Sequence, residues 1–184
     1  LSHLLFNVMS REQVGMYAVY ISTHGNMPDL FRNNPYAGEL KDPLLYDVPE
    51  EYKEADSKFA AMLEEAEKYL GYPYVWGGSD PSTSFDCSGF VSWVLVNSGV
   101  KDVGRLGATS LYGALTPVRE DEARPGDIIF FEGTLGEGVE GNDGITHCGI
   151  YVGDGMMIHC GSPISYADLS RSYWQEHFYG YARA

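Results

Sequence analysis

The sequence predicts a single domain that combines α-helices with a β-sheet. Apolar residues recur at helical spacing from Glu50 to Leu70, and a second, almost wholly apolar helix is expected from Cys87 to Asn97. Short runs typical of β-strands follow from Ile128 onward. The length of 184 residues suits one domain with a substantial core. We therefore expect this domain in residues 50–184, with residues 1–49 as an extension.

The extension is expected to be partly helical and partly irregular. Ser10-Arg11-Glu12-Gln13 is typical of a capping box, in which side chains satisfy the free N–H groups of a helix start. Apolar residues then continue at helical spacing as far as Gly25. From Asn26 to Pro49 the chain has four prolines and no sustained period, which indicates an irregular surface segment or linker.

The helix expected from Glu50 to Leu70 has one apolar stripe and is followed by Gly71, which favours a helix end. The stripe consists of Phe59, Met62, Leu63, Ala66, Tyr69 and Leu70. Next comes an extended aromatic segment, Tyr72 to Gly78, and a polar loop that leads to Cys87. The helix that begins there is apolar on most sides, so we expect it to be buried.

The second half of the chain is expected to supply the strands. A short helix around Ser110 to Ala114 and a turn at Pro117 come first. Arg124-Pro125-Gly126-Asp127 predicts a turn, and the continuous apolar run Ile128 to Phe131 predicts a central strand. A glycine-rich loop, Thr134 to Gly144, is long enough to border a cleft.

A hairpin is expected where Thr146 to Val152 and Met156 to Cys160 flank Gly153-Asp154-Gly155. A symmetric connection would pair Cys148 with Cys160, Ile150 with Ile158 and Val152 with Met156. His147 and His159 then lie on the opposite face as diagonal neighbours, about 5 to 8 Å apart.

The composition excludes some classes of partner. The formal net charge is -14, and the 12 lysines and arginines are scattered, so a nucleic-acid surface is not expected. No apolar run reaches the ~18 residues of a membrane span, and no signal peptide is present. We therefore expect a segment of a longer protein, with any targeting or anchoring region upstream. We also expect this segment to be a monomer. Aromatic residues make up 14% of the chain, which favours a ligand cleft.

Cys87 lies at an expected helix start, between Asp86 and Ser88. The free N–H groups and positive dipole end of a helix stabilise a thiolate there and lower the pKa below the ~8.5 of free cysteine. The alternative is a small buried residue, because free cysteine is among the most buried residue types.

A thiol peptidase or amidase needs a nucleophile, an imidazole base and a group that orients the imidazole. Cys87, His147 and His159 fit these roles in that order, and backbone N–H groups at the Cys87 helix would form an oxyanion hole. The scheme requires no metal or other cofactor. A zinc site is the alternative, but no Cys-x-x-Cys pair, His-Glu-x-x-His helix or nearby carboxylate ligand accompanies these residues.

Cys148 and Cys160 have two interpretations. If they face each other across the hairpin they can form a disulfide. Their face also carries apolar residues, however, so packing as small hydrophobic residues is the expected outcome. In either case they are expected on the wrong face to join the catalytic group.

The chain resembles the NlpC/P60 family of papain-like cell-wall peptidases from about Lys53 to its C-terminus. The resemblance rests on Tyr74-Val75-Trp76-Gly77-Gly78, Asp86-Cys87-Ser88-Gly89-Phe90, Pro125-Gly126-Asp127-Ile128-Ile129-Phe130-Phe131, His147-x-Gly149-Ile150-Tyr151 and Met157-Ile158-His159. It implies an α+β fold in which the nucleophile helix packs on a central antiparallel sheet. The first fifty residues do not match the SH3 or LysM modules that often accompany such domains.

The resemblance also implies functional residues. Cys87 would be the nucleophile, His147 the base and His159 the third member, acting on the γ-D-glutamyl to diamino-acid bond of peptidoglycan stem peptides. Tyr74, Asp86 and Ser88 would line the subsite for L-Ala, with Trp76 beside them. Asp86 suits an L-Ala with a free amine, since a carboxylate can pair with an ammonium group.

Three functions remain open from the sequence. The first is an extracellular or cell-surface endopeptidase that opens the wall locally for conjugation, because Leu4-Leu5 and Ser172-Tyr173-Trp174 resemble wall hydrolases carried on conjugative elements of Gram-positive bacteria. The second is a thiol amidase or acyltransferase with another acyl donor. The third is a catalytically silent module that binds the wall.

Overall fold

The computed structural model describes Leu44, residues 46–135, Gly141 and residues 144–184. The helix expected after Ser10 and the first part of the irregular segment lie outside these residues. The α-helices are α1 (Glu50–Ala55), α2 (Ser57–Glu67), α3 (Cys87–Asn97), α4 (Ala108–Ala114) and α5 (Ser172–His177). The strands are β1 (Ser79–Asp80), β2 (Ser84–Phe85), β3 (Thr116–Val118), β4 (Ile128–Glu132), β5 (Ile145–Gly153), β6 (Met156–Cys160), β7 (Ile164–Asp168) and β8 (Phe178–Arg183).

The helix expected from Glu50 to Leu70 is two helices, so that prediction is wrong in its continuity. Asp56 has extended backbone angles, and its carboxylate accepts hydrogen bonds from the N–H groups of Lys58 and Phe59. An aspartate that caps the following helix interrupts the one before it, because the capping geometry is not helical. The apolar stripe of α2 is buried as expected, and Tyr69 follows it into the core.

Helix α3 begins and ends where the sequence predicts. Its apolar residues are buried on most sides, and Phe90, Val91, Val94 and Leu95 are fully buried. The helix packs against β5 and β6 of the main sheet. A helix held on this many sides keeps its first residue, Cys87, in a fixed position.

Six strands form one antiparallel sheet in the order β3-β8-β4-β5-β6-β7. Strand β4 lies between β8 and β5, as its continuous apolar sequence predicts. Pro117 was expected in a turn but lies in the edge strand β3, where a residue without an N–H donor is tolerated. The helices and this antiparallel sheet confirm the α+β class.

The hairpin of β5 and β6 has the expected register over most of its length. Gly149 lies opposite His159 and Ile150 opposite Ile158, so Cys148 and Cys160 fall just beyond the paired residues. The expected pair of Val152 with Met156 is wrong, because Gly153 pairs with Met156 across a register shift. Asp154 and Gly155 have φ of 50° and 68° and make a two-residue turn in place of the symmetric three-residue connection.

Gly89 in the first turn of α3 approaches the aromatic segment closely. A Cβ added at Gly89 would lie 2.1 Å from the carbonyl oxygen of Gly78. Only a residue without a side chain permits this backbone contact.

Within the described residues, no helix is both long and apolar enough to span a membrane.

The Gly89→Ala variant should lower the free energy of unfolding by about 2 kcal/mol, because the added methyl group overlaps the Gly78 backbone. Gly113→Ala is the matched control in α4, where an added Cβ meets nothing within 4 Å. It should raise stability by about 0.5 kcal/mol, since alanine favours a helix over glycine. Chemical denaturation of both variants measures the difference, and equal effects would contradict the close contact.

Candidate active site

Cys87 is the first residue of α3, and Asp86 caps this helix. The backbone of Asp86 is extended, and its Oδ1 accepts the Gly89 N–H at 2.7 Å. Cys87 is only 5% exposed and belongs to the hydrophobic core cluster. Its Sγ lies 3.8 Å from the carbonyl oxygen of Thr146 on β5. The helix start and the neighbouring strand therefore hold the thiol at the border of the core.

The environment of Cys87 stabilises its thiolate. A hydrogen bond with the Cys148 thiol lowers the pKa of Cys87 most, and a hydrogen bond with His147 and the charge of that imidazole lower it further. Burial and the charge of Asp86 act in the opposite direction, but the pKa of Cys87 still lies well below its ordinary value. A lowered pKa is what an activated nucleophile requires, and the catalytic role of Cys87 stays a prediction.

Cys148 corrects one expectation. The sequence predicts that it lies on the wrong face to reach the catalytic group, yet it is the largest cause of the lowered pKa of Cys87. The reason is that α3 packs on the core face of β5, which is the face that Cys148 occupies. Burial raises the pKa of Cys148 well above the ordinary thiol value, so Cys148 remains a neutral hydrogen-bond donor.

All three cysteines are free. Cys148 and Cys160 are fully buried, which confirms the expectation that they pack as small hydrophobic residues. The Cys160 thiol donates to the carbonyl oxygen of Phe85 at 3.2 Å. Burial and the charges of Cys87 and Asp86 raise the pKa of Cys160, so this thiol is not a competing nucleophile.

The two histidines of the hairpin meet as expected. His147 Nε2 and His159 Nδ1 are 2.8 Å apart, and the ring centroids are separated by 5.0 Å. Burial, and then the charge of His147, lower the pKa of His159 well below its ordinary value. A neutral His159 can accept the Nε2 proton of His147 at Nδ1, which leaves His147 Nδ1 for the Cys87 thiol.

Tyr74 approaches Cys87 from the aromatic segment. It forms an isolated parallel bridge with Phe85, and the Val75 N–H donates to the Phe85 carbonyl at 2.8 Å. Burial, then the charges of Cys87 and Asp86, and a hydrogen bond with Cys87 raise the pKa of Tyr74. Its hydroxyl group therefore remains protonated and can donate a hydrogen bond at the nucleophile.

Trp174 of α5 contacts both histidines, and no pattern in the sequence predicts these contacts. Its ring stacks on His147 at 5.6 Å and 25° and meets the edge of His159 at 5.1 Å and 85°. Phe131 supports it from β4 at 4.7 Å. The indole thus fixes both imidazole planes and excludes water from one side of the pair.

Asp86 and Ser88 lie side by side as expected, and Arg105 joins them. Arg105 Nη2 lies 2.6 Å from Asp86 Oδ2, and Nη1 donates to Ser88 Oγ at 3.1 Å. No spacing rule predicts this contact, because Arg105 comes from the connection between α3 and α4.

Trp76, the remaining expected site residue, is 75% exposed. In the described ranges no three His, Cys, Asp or Glu side chains are grouped to hold a metal ion.

Comparison with known proteins identifies relatives of this chain. A family model described as NlpC/P60 family matches residues 71–183. The bifunctional muramidase/DL-endopeptidase CwlT of Bacillus subtilis is 44% identical over 126 residues, which are 68% of this chain and 36% of that protein. The gamma-DL-glutamyl hydrolase of the same organism is 34% identical over 144 residues, or 77% of this chain and 30% of that protein.

A solved structure of a lipoprotein-like NLP/P60 family protein from Staphylococcus aureus superposes with a TM-score of 0.63 at 30% identity, over 95% of this chain and 61% of that one. The chain thus spans about a third of the length of the two curated relatives named above.

Alkylation of Cys87 with iodoacetamide should begin at a lower pH than for a free thiol. The rate of alkylation follows the thiolate fraction. A lowered pKa therefore moves the pH at which this rate rises to below about 8.5. His147→Ala and Cys148→Ala each remove a hydrogen bond that lowers this pKa, so both variants should shift the rise to higher pH. Mass spectrometry of the labelled residue measures the rates.

Cys87→Ser is the control for this experiment. It retains Cys148 and Cys160, which are buried and have raised pKa values, so it should resist labelling near neutral pH. If the midpoint of the pH dependence of Cys87 alkylation lay at the pKa of a free thiol, the lowered pKa of Cys87 would be contradicted.

Proposed function

This chain belongs to the NlpC/P60 family, and from that membership we propose that it hydrolyses peptidoglycan stem peptides as a cysteine endopeptidase. The observation that carries the proposal is the linked set of Cys87, His147 and His159. His147 lowers the pKa of Cys87, and the Nε2 of His147 lies 2.8 Å from His159 Nδ1. This is the set of nucleophile, base and orienting group that thiol hydrolysis requires.

The proposed bond is the one between γ-D-glutamate and the diamino acid. The name of the gamma-DL-glutamyl hydrolase, which is 34% identical, supports a γ-glutamyl substrate. The name of CwlT, at 44% identity, supports DL-endopeptidase activity. Tyr74, Asp86 and Ser88 are proposed to line the part of the cleft that holds L-Ala, because Cys87 and Asp86 both act on the Tyr74 hydroxyl and Ser88 donates a hydrogen bond to Asp86.

In the proposed reaction the Cys87 thiolate attacks the γ-carbonyl carbon of D-glutamate. The backbone N–H of Cys87 and the Tyr74 hydroxyl donate to the oxygen that becomes negative. His147 then transfers its Nδ1 proton to the departing amine of the diamino acid, and a thioester remains on Cys87. Water attacks the thioester as His147 accepts its proton, which releases the γ-glutamyl acid and restores the thiolate.

His159 and Trp174 have supporting roles in this scheme. His159 accepts the Nε2 proton of His147 and so fixes which ring nitrogen faces the thiol. Because burial keeps His159 neutral, it does not add a second positive charge beside His147. Trp174 holds the two ring planes at their observed angle.

We also propose that the protein acts outside the cell and opens the wall locally during conjugation. This rests on the resemblance to hydrolases of conjugative elements, and the extracellular position follows from a wall substrate. Donor cells that produce the Cys87→Ala protein should transfer DNA less often than cells with the native protein at equal protein levels. Equal transfer frequencies would contradict the role in conjugation.

The native protein should release a dipeptide that ends in D-glutamate from purified stem peptides, as measured by mass spectrometry. Cys87→Ala should lower kcat/KM by at least about 10⁴-fold, because it removes the nucleophile. His147→Ala should have a similar effect. His159→Asn should retain more activity than His159→Ala, since the amide oxygen can still accept the Nε2 proton of His147.

His177→Ala is the matched control, since His177 bonds to the Glu132 carbonyl outside this set. Intact stem peptide after digestion with the native protein would contradict the proposal. Transfer of the acyl group from Cys87 to an added amine would instead indicate an acyltransferase. Wall binding without any cleavage would indicate a silent binding module.

A further inference from the structure

The carboxylate of Asp86 is fully engaged within the protein. Oδ1 accepts hydrogen bonds from the Gly89 N–H at 2.7 Å and the Ser88 hydroxyl at 3.1 Å. Oδ2 accepts from the Gly77 N–H at 3.0 Å and from Arg105 Nη2 at 2.6 Å. A carboxylate has about four favourable lone-pair positions, so these four donors fill them.

The Ser88 hydroxyl is engaged as well. It donates to Asp86 and accepts a hydrogen bond from Arg105 Nη1 at 3.1 Å. Arg105 is thus held by two residues that were expected to bind the amino end of the substrate. The Asp86 side chain is 11% exposed and the Arg105 side chain 36%, so the cation is the member of this cluster that faces solvent.

We propose that Arg105 sets the specificity of this subsite in favour of an L-Ala whose nitrogen is acylated, as it is when the stem peptide is attached to a glycan. A free ammonium group would meet a carboxylate that is already neutralised and, beside it, a guanidinium of like charge. Like charges in such contact lower affinity strongly. This inference rests on the proposed function and reverses the expectation that Asp86 favours a free amine.

Arg105 also offers donors that suit an acyl group. Nη1 is bonded to Ser88 and to the Leu106 carbonyl, and Nη2 is bonded once to Asp86. The Nε–H and the second Nη2–H have no hydrogen-bond partner among the described residues. The carbonyl oxygen of an acylated L-Ala is an acceptor for these groups, whereas a free amine has no oxygen there.

Two peptides that differ only at the amino end test the proposal. One is the stem tetrapeptide with a free L-Ala amine, and the other has the same sequence with N-acetyl-L-Ala. Binding is measured by calorimetry in the Cys87→Ala protein, and kcat/KM in the protein with Cys87 intact. The acetylated peptide should bind about tenfold more tightly and be cleaved with a correspondingly higher kcat/KM.

Arg105→Met should shift the ratio of the two affinities by about tenfold toward the free amine, because Asp86 is then unpaired. Arg105→Lys retains the charge and should keep part of the preference even if the methionine variant folds poorly. Arg119→Met is the matched control, since Arg119 is 70% exposed and pairs with Asp121 and Glu122 instead. It should leave the ratio unchanged.

The outcomes separate this inference from the proposed function. Tighter binding of the free amine by the Cys87→Ala protein, or an unchanged ratio in Arg105→Met, would overturn the role of Arg105. Preference for the acetylated peptide in binding, without cleavage of either peptide by the protein with Cys87 intact, would support Arg105 and overturn the hydrolase proposal.

Discussion

The buried carboxylate of Asp86 is the constraint on which the rest of the site depends. It caps α3 through Gly89, holds the aromatic segment through Gly77 and pairs with Arg105. A buried charge is tolerated only when its hydrogen bonds are satisfied, so each of these segments must take its observed place. Cys87 follows Asp86 in the chain, so the same contacts fix its position. One ionised side chain therefore positions both the proposed nucleophile and the subsite beside it.

The same charge has a cost for the proposed nucleophile, because Asp86 raises the pKa of Cys87 while Cys148 and His147 lower it. Arg105 pairs with Asp86 and offsets that negative charge. His159 remains neutral, and Tyr74 and Cys148 remain protonated, so His147 is the nearby group that can carry the compensating positive charge. The burial of the thiol strengthens each of these interactions, since the local dielectric is low.

Local signals were sufficient to predict α3, β4 and most of the hairpin register, because each depends on an apolar pattern or a turn within a few residues. The break at Asp56 was missed because the apolar stripe that predicts the helix begins only at Phe59 and so does not show where the helix starts. The predicted pairing of Val152 with Met156 is wrong because a two-residue turn takes the place of the symmetric three-residue connection. Arg105, Cys148 and Trp174 could not be assigned, since their contacts depend on how whole elements pack.

The backbone fixes most of the site before any ligand arrives. The Asp86 N–H donates to the Gly78 carbonyl at 3.1 Å, which ties the aromatic segment to the start of α3. The histidines are held by paired strands and by Trp174. Such preorganisation places reacting groups without loss of entropy at the moment of reaction. Arg105 is the exception, because it is partly exposed and lies in a connection between helices. A change there can alter which amino end is accepted while Cys87 and His147 keep their positions, so specificity and the proposed chemistry are separable in this fold.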